Sequence, residues 1–158
     1  MNIKQRIAEL KKELARLEYE DRKEVWKPEV GERYYYIDID GGVSFWTVDE
    51  STEIDKNVIE YGNYYKTEEE AEHQAKVQKY TNQFRKYVEA HSEKIDWKDK
   101  KKYKFYIFFD YDCNGIGFDY NTIYKSAKIY ASSKEVLKDA IEYVGEANVI
   151  QYVLGVED

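Results

Sequence analysis

The feature that most constrains the fold is a pattern that occurs twice: an aromatic and β-branched run, then a tight-turn signal and a returning run. Residues 33–39 precede Asp40-Gly41-Gly42, and residues 103–109 precede a turn that contains Asn114-Gly115. Aromatic and β-branched residues favour strands. Asp-Gly and Asn-Gly dipeptides supply the positive φ angles of two-residue hairpin turns. The pattern therefore predicts two antiparallel β-hairpins.

A third short strand and a helix are predicted after each hairpin. The third strands are expected near residues 62–65 and 127–130, and a polar loop is expected over residues 50–57. A Thr or Ser followed three residues later by Glu forms a capping box, which predicts helix starts at Thr67 and Ser132. Apolar residues recur at helical spacing after both.

The predicted fold class is α+β, with an N-terminal amphipathic, coiled-coil-like helix followed by two tandem βββα units with antiparallel sheet. Residues 1–27 form the helix, residues 28–97 the first unit and residues 98–158 the second. A three-stranded unit alone is marginally stable, so we expect the two units to form one compact domain. Either one continuous sheet or two sheets packed back to back would satisfy the pattern.

The N-terminal segment carries the apolar stripe of a coiled coil, with alternating spacings of four and three residues. Asp21 and Glu24 occupy the next two positions and end it. A helix this short is marginal in water unless the stripe is buried. Two interpretations remain open, docking onto the chain's own body and self-association. The predicted interface residues are Ile3, Ile7, Leu10, Leu14 and Leu17.

The charges beside the stripe indicate the orientation of a self-associated pair. In a parallel homodimer Arg6 would face Lys11, and Glu13 would face Glu18. Both contacts are repulsive. Basic residues crowd the first half of the segment and acidic residues the second, so an antiparallel homo-oligomer is the predicted arrangement.

Net charge and cysteine content restrict the partners and the compartment. The chain of 158 residues has a net charge of -7, but residues 1–27 carry 8 Lys/Arg against 6 Asp/Glu. An acidic body repels phosphate, so no direct nucleic-acid binding is predicted. The mean hydropathy of -0.84 predicts no membrane segment. A single cysteine, Cys113, allows no intrachain disulfide and fits a reducing cytoplasm.

Acidic residues at the two hairpin turns resemble metal or acid–base sites but are better explained as turn residues. Residues 110–115 match the first half of a calcium-binding loop, yet its twelfth position is Asn121 and not a glutamate. Asp38 and Asp40 hold the equivalent place in the first hairpin without an accompanying base. Asp and Asn are common in tight turns for conformational reasons. No metal is predicted.

The remaining reactive side chains do not form a catalytic set. His73 and His91 lie several turns apart on one predicted helix, so they cannot share a metal. Acidic neighbours of Cys113 are expected to raise the pKa of its thiol, which disfavours a nucleophile. We therefore expect no catalytic residue and no cofactor.

Tyrosine dominates the aromatic content, with 17 tyrosines in the chain. Strand alternation places Tyr34 and Tyr36 on one face and Tyr35, Ile37 and Ile39 on the other, which is the expected core face. If the face with Tyr34 and Tyr36 is exposed, it supplies rigid aromatic contacts for binding. The alternative is that the second sheet or the N-terminal helix covers this face. The candidate binding surface comprises Tyr34, Tyr36, Trp46 and Tyr64.

Three segments in order carry a resemblance: residues 31–37, 62–72 and 106–112. Together they resemble a family of small accessory proteins of phages and prophages of Gram-positive bacteria, over roughly residues 26–156. The resemblance implies a cytoplasmic, phage-encoded protein that blocks host defences by binding. It supplies no catalytic residue.

The predicted function is that of a non-enzymatic inhibitor which binds a host defence protein stoichiometrically, as anti-CRISPR proteins bind their effectors. The acidic body suits a basic, nucleic-acid-binding surface on such a target, since opposite charge speeds encounter. Two alternatives remain, a sponge that sequesters a nucleotide immune signal and a structural or assembly protein that uses the N-terminal helix.

Overall fold

A computed structural model describes residues 3–21, 25–49, 51–123 and 125–156. The protein is α+β, which confirms the predicted class. The helices are α1 (Ile3–Asp21), α2 (Glu53–Glu60), α3 (Glu68–His91), α4 (Lys134–Val144) and α5 (Glu146–Asn148), followed by a π-helical turn (Val149–Val153). The strands are β1 (Arg33–Ile37), β2 (Val43–Thr47), β3 (Lys104–Asp110) and β4 (Gly115–Asn121).

Two hairpins form where the turn signals predict them. Strands β1 and β2 pair as one two-stranded sheet, and β3 pairs antiparallel with β4 from Lys104↔Asn121 to Asp110↔Gly115. Gly41 and Asn114 have positive φ angles of 80° and 51°. Glycine and asparagine adopt such angles at little cost, which is why the chain reverses here.

Each predicted third strand is reduced to one antiparallel bridge. Tyr35 pairs with Tyr65, and Phe105 pairs with Ala131. In both bridges the two residues exchange backbone hydrogen bonds of 2.8–3.0 Å. The strands predicted near residues 62–65 and 127–130 are therefore not present as continuous strands. A segment of residues that favour β-structure forms a strand only where its backbone lies close enough to the neighbouring strand to form hydrogen bonds along its length.

The polar loop predicted over residues 50–57 is also wrong, because α2 begins at Glu53. Thr52 is the N-cap residue, with extended backbone angles. The buried Asp55 lies in the first turn of α2 and accepts the backbone N–H of Asp49 at 3.1 Å. Hydrogen bonds to this one carboxylate stabilise the start of the helix.

Internal contacts divide the chain into two compact units. The first comprises residues 1–36 and 44–68, and the second comprises residues 37–43 and 69–158. The predicted limits after residues 27 and 97 are not the limits of this division.

The core of the second unit joins two helices to a strand. Side chains of α3, β3, α4 and the π-helical turn form one buried cluster, since each helix presents an apolar stripe. Its buried members are Phe84, Val88, Ile107, Ala131, Leu137, Ala140, Val144 and Val149. No helix among the described residues is long and apolar enough to cross a bilayer.

The ends of α4 follow from local chemistry. The hydroxyl of Ser133 accepts the backbone N–H of Val136 at 3.3 Å, so the cap lies one residue after the predicted Ser132. Gly145 ends the helix with a φ of 92°. Ser132 instead accepts the N–H of Glu93 at 3.0 Å, which ties the two segments of the second unit together.

Candidate interaction surfaces

The stripe of α1 is exposed along its whole length. Its five apolar residues, Ile3, Ile7, Leu10, Leu14 and Leu17, are each 49–80% exposed. The helix has no acidic residue in its first turn and no basic residue in its last turn, so its dipole is uncompensated at both ends. Burial of the stripe within the described part of the chain does not account for the stability of this 19-residue helix.

The candidate surface residue Tyr34 lies in the core of the first unit, which corrects its predicted exposure. Its side chain is 0% exposed, and its hydroxyl donates a 2.6 Å hydrogen bond to Oδ1 of Asp55. Ile39, expected in the core, is fully exposed in the turn. The two buried residues of β1 are Tyr34 and Ile37, three positions apart, so burial along this strand does not follow simple alternation.

The other candidate surface residues lie at intermediate or exposed positions. Trp46 is 47% exposed, while Tyr36 and Tyr64 are half-buried. The ring of Tyr64 lies 6.0 Å from that of Trp26, and the ring of Tyr36 lies 6.1 Å from the buried Tyr34. Their role as a binding surface stays a prediction.

Phe45, beside Trp46, is an exposed aromatic that sequence reasoning missed. Its side chain is exposed, and the guanidinium of Arg33 lies 4.5 Å from the centre of its ring. A cation over an aromatic face is attracted by the ring quadrupole. An arginine on one strand of a predicted hairpin and an aromatic on the other were the signal available for this pair.

The acidic turn of the second hairpin is held by its own backbone. Oδ1 of Asp110 accepts the N–H of Asp112 at 2.9 Å, and this bond holds the pKa of Asp110 below its usual range. Its hydrogen bond with Asp110 raises the pKa of the exposed Cys113 thiol. Among the described residues, no group of three or more His, Cys, Asp or Glu side chains is arranged to hold a metal ion.

The two histidines have separate surroundings on α3. Nδ1 of His91 lies 2.8 Å from the carbonyl oxygen of Tyr87, whose ring stacks on the imidazole. The ring of His73 lies 5.8 Å from that of Tyr152. As predicted from their spacing, the two imidazoles do not meet.

A groove of about 510 Å³ lies within the second unit, and sequence reasoning did not find it. Phe84 of α3, residues 106–109 of β3, residues 126–129 and residues 152–154 line it. Lys128 is the one charged residue among the described residues that line it. The groove is thus mainly apolar and aromatic, with a basic residue in its lining.

One edge of β3 faces this groove. Phe105 exchanges hydrogen bonds with Ala131 at 3.0 and 2.9 Å, on the side of β3 away from β4. Backbone groups of alternate residues point to the same side of a strand. Ile107 and Phe109 therefore direct their N–H and C=O groups to the groove side. Within the described part of the chain, neither residue has a hydrogen-bond partner there.

The hydroxyl of Tyr130 holds the segment that follows the groove edge. Its oxygen accepts the N–H groups of Ser126 and Ala127, the latter at 2.8 Å, and the amide of Asn121 at 3.3 Å. Burial alone would raise the pKa of Tyr130, but these donated hydrogen bonds lower it overall. A phenol oxygen surrounded by donors stabilises its anionic form.

No protein-family model, curated protein or solved structure matches the chain. Function is therefore inferred from the surfaces of the chain itself, beginning with the exposed stripe of α1.

Proposed function

We propose that the chain is a non-enzymatic binding protein that acts by stoichiometric contact with another protein and self-associates through α1. The observation that carries the proposal is the stripe of five apolar side chains, each at least 49% exposed. Full burial of a Leu or Ile side chain contributes about 1.5–3 kcal/mol. A second α1 covering this stripe would stabilise both helices.

An antiparallel pair centred on Leu10 matches the apolar residues of the stripe. In this arrangement Ile3 packs against Leu17 of the partner subunit, and Ile7 packs against Leu14 of the partner subunit. Each is an apolar pair at a position that the chain leaves exposed. The match carries an offset of one residue, because the spacings run four, three, four and three: Ile7 lies three residues before Leu10, and Leu14 lies four residues after it.

The flanking charges support the same orientation. With the helices antiparallel, Arg6 lies near the partner's Glu13 and Lys4 lies near the partner's Glu18, which gives two attractive contacts from each helix. Lys11 lies near Lys11 of the partner subunit, and this contact is repulsive. The parallel arrangement instead places Arg6 against Lys11 and Glu13 against Glu18.

The proposed setting is the cytoplasm of a bacterial host, where the chain acts as a phage-encoded inhibitor of an antiviral defence protein. The resemblance to phage accessory proteins and the single cysteine support this setting. The residues after 27 carry 17 Lys/Arg against 26 Asp/Glu. This acidic surplus favours encounter with a basic, nucleic-acid-binding face of the target.

We also propose that the body derives from two tandem βββα units, each of which has retained a shortened third strand. Both hairpins receive one antiparallel bridge on their first strand, at Tyr35 and at Phe105. The bridging residues Tyr65 and Ala131 each precede the start of the next helix by three positions. The same spacing at both places supports a duplicated plan.

Titration of an isolated defence effector with the full chain tests the proposed inhibition. A stoichiometric binder inhibits in proportion to its concentration and reaches its end point near molar equivalence. Loss of effector activity at a small fraction of an equivalent would indicate turnover and contradict the proposal. Failure to recover any equimolar partner from a host lysate that expresses defence systems would contradict it as well.

Self-association is tested by sedimentation of the full chain beside two variants. Leu14→Glu places a charge on the stripe and is expected to give monomers. Ala15→Glu places the same charge one residue away, off the stripe, and is expected to leave the oligomer intact. A monomeric parent chain, or equal loss in both variants, would contradict the role of α1.

A further inference from the structure

We propose that the groove of the second unit binds an extended, acidic peptide segment of a partner protein, which adds an antiparallel strand to β3 at Ile107 and Phe109. The inference rests on the proposed function in one respect, that the ligand is a protein. It assigns the contact to a surface separate from the stripe of α1.

The hydrogen-bonding groups for an added strand are already in place. The exchange between Phe105 and Ala131 fixes which residues of β3 point away from β4. Ile107 is opposite Phe118 in the β3–β4 ladder, at a position of the same kind as Phe105, so its N–H and C=O point into the groove. Buried backbone groups are almost always paired in native proteins. This edge of β3 can therefore form backbone hydrogen bonds with an added strand.

The chain's own continuation does not occupy this edge. Extending the register of the bridge would place Ile129 opposite Ile107, and Ala127 opposite Phe109. The N–H of Ala127 donates instead to the hydroxyl of Tyr130 at 2.8 Å. A local hydrogen bond thus competes with the ladder and keeps this segment apart from β3.

Lining and charge define the occupant. The two free residues of β3 and their neighbours span about 10 Å of strand, at roughly 3.3 Å per residue. A volume of about 510 Å³ beside them accommodates a short extended segment. The buried Phe84 favours apolar side chains on the inward face of that segment, and Lys128 favours an acidic residue at its end. Backbone pairing supplies affinity and the side chains supply specificity.

Selection of peptides of about eight residues from a random display library on the full chain tests the proposal. We expect enriched peptides to alternate apolar residues and to carry an acidic residue. Binding should slow amide hydrogen exchange at Ile107 and Phe109 by at least about tenfold. Exchange at Tyr106 and Phe108, which already face β4, should stay unchanged. Lys128→Glu should weaken binding of the acidic peptides.

Backbone methylation of an enriched peptide gives the matched control. Methyl groups on the N–H groups that face β3 should abolish binding, while methyl groups on the alternate N–H groups should leave it intact. Equal effects of the two sets would overturn the proposal. So would a library without enriched peptides, unchanged exchange at Ile107 and Phe109 in the complex, or slow exchange there in the free chain through closure of residues 126–129.

The outcome separates this inference from the proposed function. Inhibition of an effector at molar equivalence, together with a groove that fails these tests, would refute the added strand alone. A peptide that protects Ile107 and Phe109 while no defence effector is inhibited would support the groove and refute the proposed role as a defence inhibitor.

Discussion

The hydroxyl of Tyr34 donates a 2.6 Å hydrogen bond to Oδ1 of Asp55, and the two side chains are only 0% and 3% exposed. The other carboxylate oxygen accepts the N–H of Asp49 at 3.1 Å and the hydroxyl of Thr52 at 3.0 Å. Three donors thus satisfy one buried carboxylate and join β1 to the start of α2. Buried polar groups are tolerated when their hydrogen bonds are complete.

Replacing Tyr34 with phenylalanine removes one of these donors. We expect a loss of about 1–3 kcal/mol in the free energy of unfolding, because Asp55 is left incompletely paired in a buried site. Urea unfolding followed by circular dichroism measures the change. Tyr61→Phe is the matched control, since Tyr61 is 84% exposed, and should be neutral within about 0.5 kcal/mol. Equal stability of the two variants would contradict a structural role for the bond.

The same hydrogen bond makes stability depend on pH in the alkaline range. Burial, with a further contribution from Asp55, raises the pKa of Tyr34 well above its ordinary value. The protonated Tyr34 hydroxyl makes its full contribution to the free energy of unfolding below the unfolded pKa of about 10. This contribution is lost as pH rises from there through the raised folded pKa. The stability difference between parent and Tyr34→Phe should therefore stay constant up to about pH 9 and shrink as pH rises above about 10. A constant difference would contradict the pKa shift.

The burial of Tyr34 also illustrates what sequence reasoning could and could not predict. Turn chemistry at Asp40-Gly41-Gly42 and Asn114-Gly115 identified both hairpins, because those dipeptides are local determinants. The partner of Tyr34 lies 21 residues away, in a helix that sequence reasoning had assigned to a polar loop. Strand alternation alone therefore predicted an exposed side chain for Tyr34, which is buried.

The candidate sites show the same division. The stripe of α1 is a local pattern, and its helix was predicted from spacing alone. The groove depends on Tyr130 accepting the N–H of Ala127, and so on a segment leaving the ladder that its composition favours. Competition between a side-chain hydrogen bond and a ladder is decided by three-dimensional geometry. Sequence patterns therefore did not predict that this segment leaves the β3 edge free.

Lys104 is a buried cation whose ammonium group donates hydrogen bonds to backbone carbonyl oxygens. Its Nζ donates to the carbonyl oxygens of Asp99 and Thr122, the latter at 2.9 Å, and lies 5.5 Å from the centre of the Trp97 ring. Lys104→Met keeps most of the side-chain volume but removes the donors. We expect a loss of about 1–3 kcal/mol for each carbonyl left unsatisfied.

Chemical denaturation of Lys104→Met measures this loss, with Lys102→Met as the control. Lys102 is exposed two residues earlier, so the same change there should cost less than about 0.5 kcal/mol. If Lys104→Met were as stable as the parent, the apolar contacts of the stem would account for its burial and the two carbonyl contacts would be dispensable.

Disulfide trapping distinguishes the two orientations of an α1 pair. In a Cys113→Ser background, a mixture of Ile7→Cys and Leu14→Cys chains should form the mixed disulfide in preference to either symmetric one, because antiparallel helices bring these positions together. Disulfides require Cβ atoms about 3.5–4.5 Å apart. Preferred symmetric dimers of Ile7→Cys would show parallel helices instead.

Removing the Tyr130 hydroxyl should release the segment beside the groove. In Tyr130→Phe the N–H of Ala127 loses its acceptor, and pairing with the free edge of β3 becomes the available alternative. We expect amide exchange at Ile107 and Phe109 to slow by roughly tenfold in the free variant. Unchanged exchange would show that the segment is held away from β3 by something other than this hydrogen bond.

The titration of Tyr130 itself provides a direct check of its surroundings. Burial alone would raise its pKa, but the hydrogen bonds donated by Ser126, Ala127 and Asn121 lower it overall. The Tyr130 hydroxyl therefore ionises more readily in the folded state than in the unfolded state. Its ionisation adds stability to the fold as pH rises through the lowered pKa. Ultraviolet titration of the phenols should show an early step that is absent in Tyr130→Phe. The exposed Tyr111 serves as the control, and Tyr111→Phe should retain that step, whereas its loss there would assign the early titration to the wrong phenol.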